Sequence, residues 1–165
     1  MDFNGILQNI AKHISLAEEE ADHFASLLTH KQINRKDFLL KEGQSCKAIN
    51  YVDSGALRAF HVDKEGKEST IMFAIGDWWI TDMYCFVTGQ PAMQNIIAIE
   101  DSEVWQLQKE ELDKLYIAVP KFERFFRIIM QNAYIREQLR VLQSLSLTAE
   151  ERYDIFINKY PQLMP

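Results

Sequence analysis

From Glu68 to Gln108 the chain carries no Lys, Arg or His, yet it holds Glu68, Asp77, Asp82, Glu100, Asp101 and Glu103. Carboxylates grouped this way can hold a cation or a hydroxyl. They repel a phosphate, and a buried phosphate needs charge-assisted hydrogen bonds, usually from arginine. Trp78, Trp79, Tyr84 and Phe86 lie in the same stretch. They either line a pocket for a ring or a cation or fill a core.

Other reactive residues are sparse. Cys46 and Cys85 cannot supply the four thiolates of an iron–sulfur cluster and read as reduced thiols. Cys85, beside Tyr84, could be a redox sensor, but it has no basic neighbour in sequence to lower its pKa, which favours an inert thiol. His13, His23, His30 and His61 form no HxH or HxxxH pair. A cupin enzyme needs two or three strand histidines plus a carboxylate, and only His61 falls in a predicted strand. No GxGxxG, P-loop or Ser-His-Asp pattern is present. No catalytic residue, metal ligand or cofactor is predicted, and the chain does not read as an enzyme. Arg124, Arg127, Arg136 and Arg140 could meet DNA or an acidic effector, but Glu123 and Glu137 interleave with them, the pattern of a solvated helix face.

The elements that position these residues fall into three stretches. Residues 4–13 read as a helix, and a second helix begins at Ser15, where Ser15 and Glu18 have capping-box spacing. From Gly43 to Gly89 glycines punctuate short aromatic and β-branched runs, which predicts an antiparallel sandwich or roll. Strands are expected at 38–41, 48–53, 56–63, 68–74, 93–99 and 103–107, with a hairpin turn at Asp63–Lys67. After Gln108 the period is helical again. A short helix precedes Pro120, and a long one runs from Pro120 to about Leu145. Two apolar lines run along it. One runs through Phe125, Ile128, Asn132, Ile135, Leu139 and Leu142 at alternating steps of three and four, and the other through Phe122, Phe126, Met130 and Ala133. One line can pack on the roll and the other on a partner helix, unless both are buried in one subunit. Thr148 and Glu151 form a last capping box.

The 165 residues, 47% of them hydrophobic, suit one principal domain. A net charge of −6 argues against this chain gripping DNA or an anionic membrane by itself. No signal-peptide layout and no run of ~18 apolar residues is present, so a cytoplasmic chain is expected.

Several segments carry a resemblance to the Crp/Fnr family of bacterial transcription regulators. They are LLKEGQ (39–44), YVDSGALRAFHVDKEGKE (51–68), GDWW (76–79), FVTGQ (86–90) and DSEVWQLQKEEL (101–112). The terminal SLTAEERYDIFINKYP resembles the segment that opens the DNA-reading domain of that family. The implied fold is α+β: a jelly-roll-like antiparallel β-roll (double-stranded β-helix) with N-terminal helices and a long C-terminal dimerisation helix. The implied organisation is an effector and dimerisation domain over residues 1–147 (helices 4–28, roll 31–108, helices 109–147). Residues 148–165 would start a helix-turn-helix domain whose remainder is absent, and DNA would be bound only through that domain. The implied partner is a second copy, joined through helix 120–145 with Phe122, Phe126, Ile129, Met130 and Ala133 at the seam.

The resemblance also implies a pocket. In nucleotide-binding members a Gly-Glu-Leu segment holds the ribose and helps hold the phosphate, and an Arg-Ser or Arg-Thr pair clamps the phosphate. Here the corresponding segments are Thr81-Asp82-Met83, beside Trp79, and Ala92-Met93, beside Gln94. The base-contacting positions of the long helix align with Glu137 and Gln138. Losing a charge-assisted hydrogen bond to a buried anion costs roughly 2–5 kcal/mol, and each ~1.4 kcal/mol is tenfold in affinity. The expectation is a pocket unable to bind cyclic AMP. It takes a different effector or is filled by its own side chains. A regulatory module that works by contact alone is the alternative.

Overall fold

A computed structural model of the chain describes residues 2–163. It divides into two units, one ending at Phe122 and the next beginning at Glu123.

In the first unit, α1 (Asn4–Ala11) and α2 (Glu18–Ser26) precede eight strands. These are β1 (Leu28–Ile33), β2 (Phe38–Leu40), β3 (Ala48–Ser54), β4 (Ala56–Val62), β5 (Glu68–Ile75), β6 (Trp78–Ile80), β7 (Asn95–Ala98) and β8 (Ser102–Gln108). The short helix α3 (Met83–Thr88) sits between β6 and β7, and α4 (Lys109–Ala118) follows β8. Two four-stranded antiparallel sheets, in the orders β1-β8-β3-β6 and β2-β7-β4-β5, make the expected roll. Ile33, Leu40, Val52, Leu57, Ile80, Ile96 and Val104 fill its interior, none more than 8% exposed.

The six expected strands all form within a residue or two. The imperfect alternation in β3 has a physical cause, because both of its faces are covered. Val52 joins the roll interior, while Tyr51 packs edge-on against Trp79 on the other face, where its hydroxyl donates to Asp77 Oδ1 at 3.1 Å. The hairpin turn also forms, with Gly66 at φ 82° and Asp63 Oδ1 accepting from the Glu65 and Lys67 N–H groups at 2.9 Å.

Three local features differ from expectation. The second helix starts at Glu18, because Glu20 Oε2 accepts from the Ala17 N–H at 2.8 Å, so the Ser15–Glu18 box is not the one used. Residues 28–33 form a strand, β1, paired residue for residue with β8. LTHKQI has little strand signal of its own, and the pairing supplies it. Residues 83–88 are helical, and no helix is expected there from residue pattern.

The second unit holds most of α5 (Lys121–Ser146) and all of α6 (Ala149–Lys159). Thr148, the expected start of a further domain, caps α6: its Oγ1 accepts from the Glu151 N–H at 3.2 Å, and Glu151 Oε2 accepts from the Thr148 N–H at 2.8 Å. Among the described residues no helix is long and apolar enough to cross a membrane.

Candidate functional site

The β6–α3–β7 crossing builds the site. Gly76 and Asp77 make the turn into β6, with Asp77 at φ 72°. Asn9 Nδ2 donates to Asp77 Oδ1 at 2.9 Å, and Lys12 pairs with its other oxygen. Burial pushes the Asp77 carboxyl up, but the hydrogen bonds from Lys12, Asn9 and Tyr51 outweigh it and hold the pKa below the usual carboxylate value. The turn is thereby pinned to α1 and β3.

Beyond β6 lies Asp82, fully buried. Its Oδ1 accepts from the Cys85 N–H at 3.1 Å, capping α3. Its Oδ2 accepts from the Met93 N–H at 2.7 Å and from the Gln94 N–H at 3.2 Å. A buried carboxylate is tolerated only when hydrogen bonds replace its water, and three backbone donors do so here.

The donor loop is itself fixed. The Ala92 N–H donates to the Gln44 carbonyl at 2.8 Å, and the Ala92 carbonyl accepts from the Gly43 N–H at 2.8 Å. His61 Nδ1 lies 3.2 Å from the Met93 carbonyl, and Glu42 Oε2 lies 3.9 Å from the same ring nitrogen. Lys109 Nζ donates to the Val87 carbonyl at 3.1 Å, near the end of α3. His61 and Lys109 come from outside the cation-free stretch, so inspecting that stretch alone could not find them.

The residues expected in a pocket divide. Thr81, Asp82, Ala92, Met93 and Gln94 come together, with Met83 half-buried at the start of α3. Ala92 is 3% exposed and belongs to the roll interior, whereas Met93 is 56% exposed. Asp82 is fully buried, and its two oxygens accept three backbone N–H bonds. Trp79 is turned the other way, and its Nε1 donates to Asn9 Oδ1 at 2.9 Å. Strand alternation sends Trp78 and Ile80 to the interior and Trp79 to the α1 side. Glu137 and Gln138 lie on α5, where Glu137 accepts from Arg140 Nη2 at 2.7 Å.

The expected dimer residues also divide. Phe122 is fully buried and stacks on Phe24, with ring centroids 4.8 Å apart, and Phe126 is 5% exposed. Phe122 is thus enclosed by its own unit and is corrected out of any seam. Ile129, Met130 and Ala133 are half-buried.

The family profile described as "Cyclic nucleotide-binding domain" matches residues 30–118, more than half of the chain. The chain belongs to the cyclic nucleotide-binding domain family. Among curated relatives, the transcriptional activator protein FnrA of Stutzerimonas stutzeri is 26% identical over 158 residues, covering 92% of this chain and 62% of that protein. The fumarate and nitrate reduction regulatory protein of Vibrio cholerae is 25% identical over 146 residues, covering 87% and 57%. The chain thus spans about three-fifths of the length of these relatives. A solved cyclic nucleotide-binding domain from Methylobacillus flagellatus superposes with a TM-score of 0.73 at 20% identity, covering 88% of this chain and 85% of that one. The resemblance to Crp/Fnr regulators and the roll fold it implied are both borne out.

Proposed function

We propose that this chain is the sensory and dimerisation part of a Crp/Fnr-like transcription regulator, with a cyclic-nucleotide pocket closed by its own Asp82. The observation that carries the proposal is the pair of N–H bonds from Met93 and Gln94 to Asp82 Oδ2. Met93 corresponds to the second member of the family's phosphate-clamping pair, so an internal carboxylate occupies donors that a ligand phosphate would need. Ala92, at the arginine position, brings no charge, and an incoming phosphate would have to displace a buried anion it cannot replace with stronger bonds.

Calorimetric titration of the whole chain with cyclic AMP and cyclic GMP tests this. No uptake at micromolar nucleotide is expected, and tight one-to-one binding of either would overturn the proposal. A closed cradle also suits a module that acts by contact alone. A thermal-shift screen against metabolites separates the two, since only a sensor with another effector will be stabilised by a small molecule. DNA binding is assigned to the part of such regulators that this chain does not span.

A further inference from the structure

The β2–β3 loop and α3 bring together two cysteines that lie far apart in sequence. The Cys46 N–H donates to Cys85 Sγ at 3.0 Å. With an N–Cα bond of ~1.46 Å, the Cys85 sulfur lies within about 4.5 Å of Cys46 Cα. Cys46 Sγ sits 3.2 Å from Thr81 Oγ1 and 3.7 Å from the Asp82 carbonyl oxygen. Cys46 is half-buried, whereas Cys85 is 1% exposed. Burial first, and then the neighbouring Cys46, push the Cys85 thiol above its ordinary pKa. Cys85 alone is therefore a poor nucleophile. Beside a second, more accessible thiol it gains a different role, because a sulfenic acid formed on one cysteine condenses readily with an adjacent thiol.

We propose that Cys46 and Cys85 are a peroxide-responsive pair that closes to an intramolecular disulfide in the wall of the Asp82 cradle. In the first step Cys46 sulfur attacks one oxygen of hydrogen peroxide and the O–O bond breaks. The departing hydroxide takes the thiol proton and leaves as water. Cys46 is oxidised by two electrons to a sulfenic acid as the peroxide is reduced. In the second step Cys85 sulfur attacks Cys46 sulfur, the S–S bond forms and the S–O bond breaks. The hydroxide leaves as water with the Cys85 proton. Two thiols and one peroxide become one disulfide and two waters. The bond would tie α3, which Asp82 caps, to the loop leading into β3. The proposal stands on the thiol pair and does not depend on whether the pocket accepts a nucleotide.

The test uses the reduced whole chain. It is treated with hydrogen peroxide at up to tenfold excess, then alkylated in denaturant, digested and mapped by mass spectrometry. The expected product is a peptide pair joined through Cys46 and Cys85 within one chain, reversed by dithiothreitol. It should form at least tenfold faster in the folded chain than in urea, because folding holds the sulfurs together. In Cys46→Ser, Cys85 should remain alkylatable after the same peroxide treatment. That half-buried substitution keeps the test independent of whether a Cys85→Ser variant folds. Three results would each overturn the proposal: disulfides only between chains, Cys46 driven to sulfinic acid with Cys85 still free, or equal rates in the folded and unfolded chain.

Discussion

The Met93 N–H donates to Asp82 Oδ2 at 2.7 Å. That one bond joins the loop before β7 to the residue that caps α3. Side chains in the roll interior are nonpolar, so Asp82 depends on its three backbone donors for all the solvation it has lost.

Asp82→Asn should therefore be costly although it is isosteric. Whichever way the amide turns, its NH2 meets backbone N–H donors at one end of the cradle. The expected loss is about 2–4 kcal/mol, read from urea unfolding as a lower midpoint with an unchanged slope. An unshifted midpoint would mean that the carboxylate contributes no net stability.

Asp77 offers a pH test. Asparagine at this position keeps an oxygen for Asn9 and Tyr51 and tolerates the positive φ, but it loses the charge that faces Lys12. The carboxyl's folded pKa is depressed, so its contribution is fully present above the ordinary carboxylate pKa and is lost as pH falls through the lower folded value. Lys12 and Asp77 side chains are 54% and 47% exposed, so after solvent screening Asp77→Asn should cost no more than about 1 kcal/mol at neutral pH. The gap between variant and parent should narrow progressively as pH falls below the ordinary carboxylate pKa. A gap that widened instead would reverse the sign of the assigned shift.

The strands that could be read from sequence are those with their own aromatic and β-branched content, such as INYV and FHV. Those that could not be read take their form from a partner. β1 is polar over Thr29–Gln32 and is held by β8. β6 is three residues long, and the helix beside it is six. The absence of a cation from Glu68 to Gln108 was legible because it is a matter of residue type. The fate of Asp82 was not, because it depends on backbone N–H groups about ten residues away, and sequence carries no direct sign of where a backbone donor points. Trp79 was misplaced for a related reason: alternation fixes which neighbours share a face but not which face is inside.

Gly55 tests the roll's tightest backbone approach. It has φ 85°, and a Cβ there would lie 2.3 Å from Ser102 Oγ and 2.4 Å from the Asp101 carbonyl oxygen. Ser102 cannot simply rotate away, because its Oγ accepts from the Ala56 N–H at 3.1 Å. Gly55→Ala should cost more than about 3 kcal/mol, from positive-φ strain together with displacement of β8. The matched change Gly66→Ala has φ 82° but open space around it, and it should cost only the strain, about 1 kcal/mol. Equal melting temperatures for the two variants would show that the close approach is relieved without penalty.

The proposed dimer rests on α5. With Phe122 enclosed by its own unit, the apolar positions left open lie further along the helix. Ile135, Leu139, Leu142 and Leu145 are 55%, 52%, 59% and 80% exposed. Their steps of four, three and three residues repeat along one stripe. A stripe of this kind is poorly stable in water and pairs well with a copy of itself. Light scattering of the parent should give about twice the chain mass of 19.3 kDa. Leu139→Glu together with Leu142→Glu should halve it, because each partner would then bury like charges across the seam. Helix content by circular dichroism should stay near the parent's, since neither residue is buried within the chain. If the double variant keeps the parent's dimer mass, the seam does not run along this stripe. If the parent is a monomer at every concentration, α5 is not a dimerisation helix in this chain.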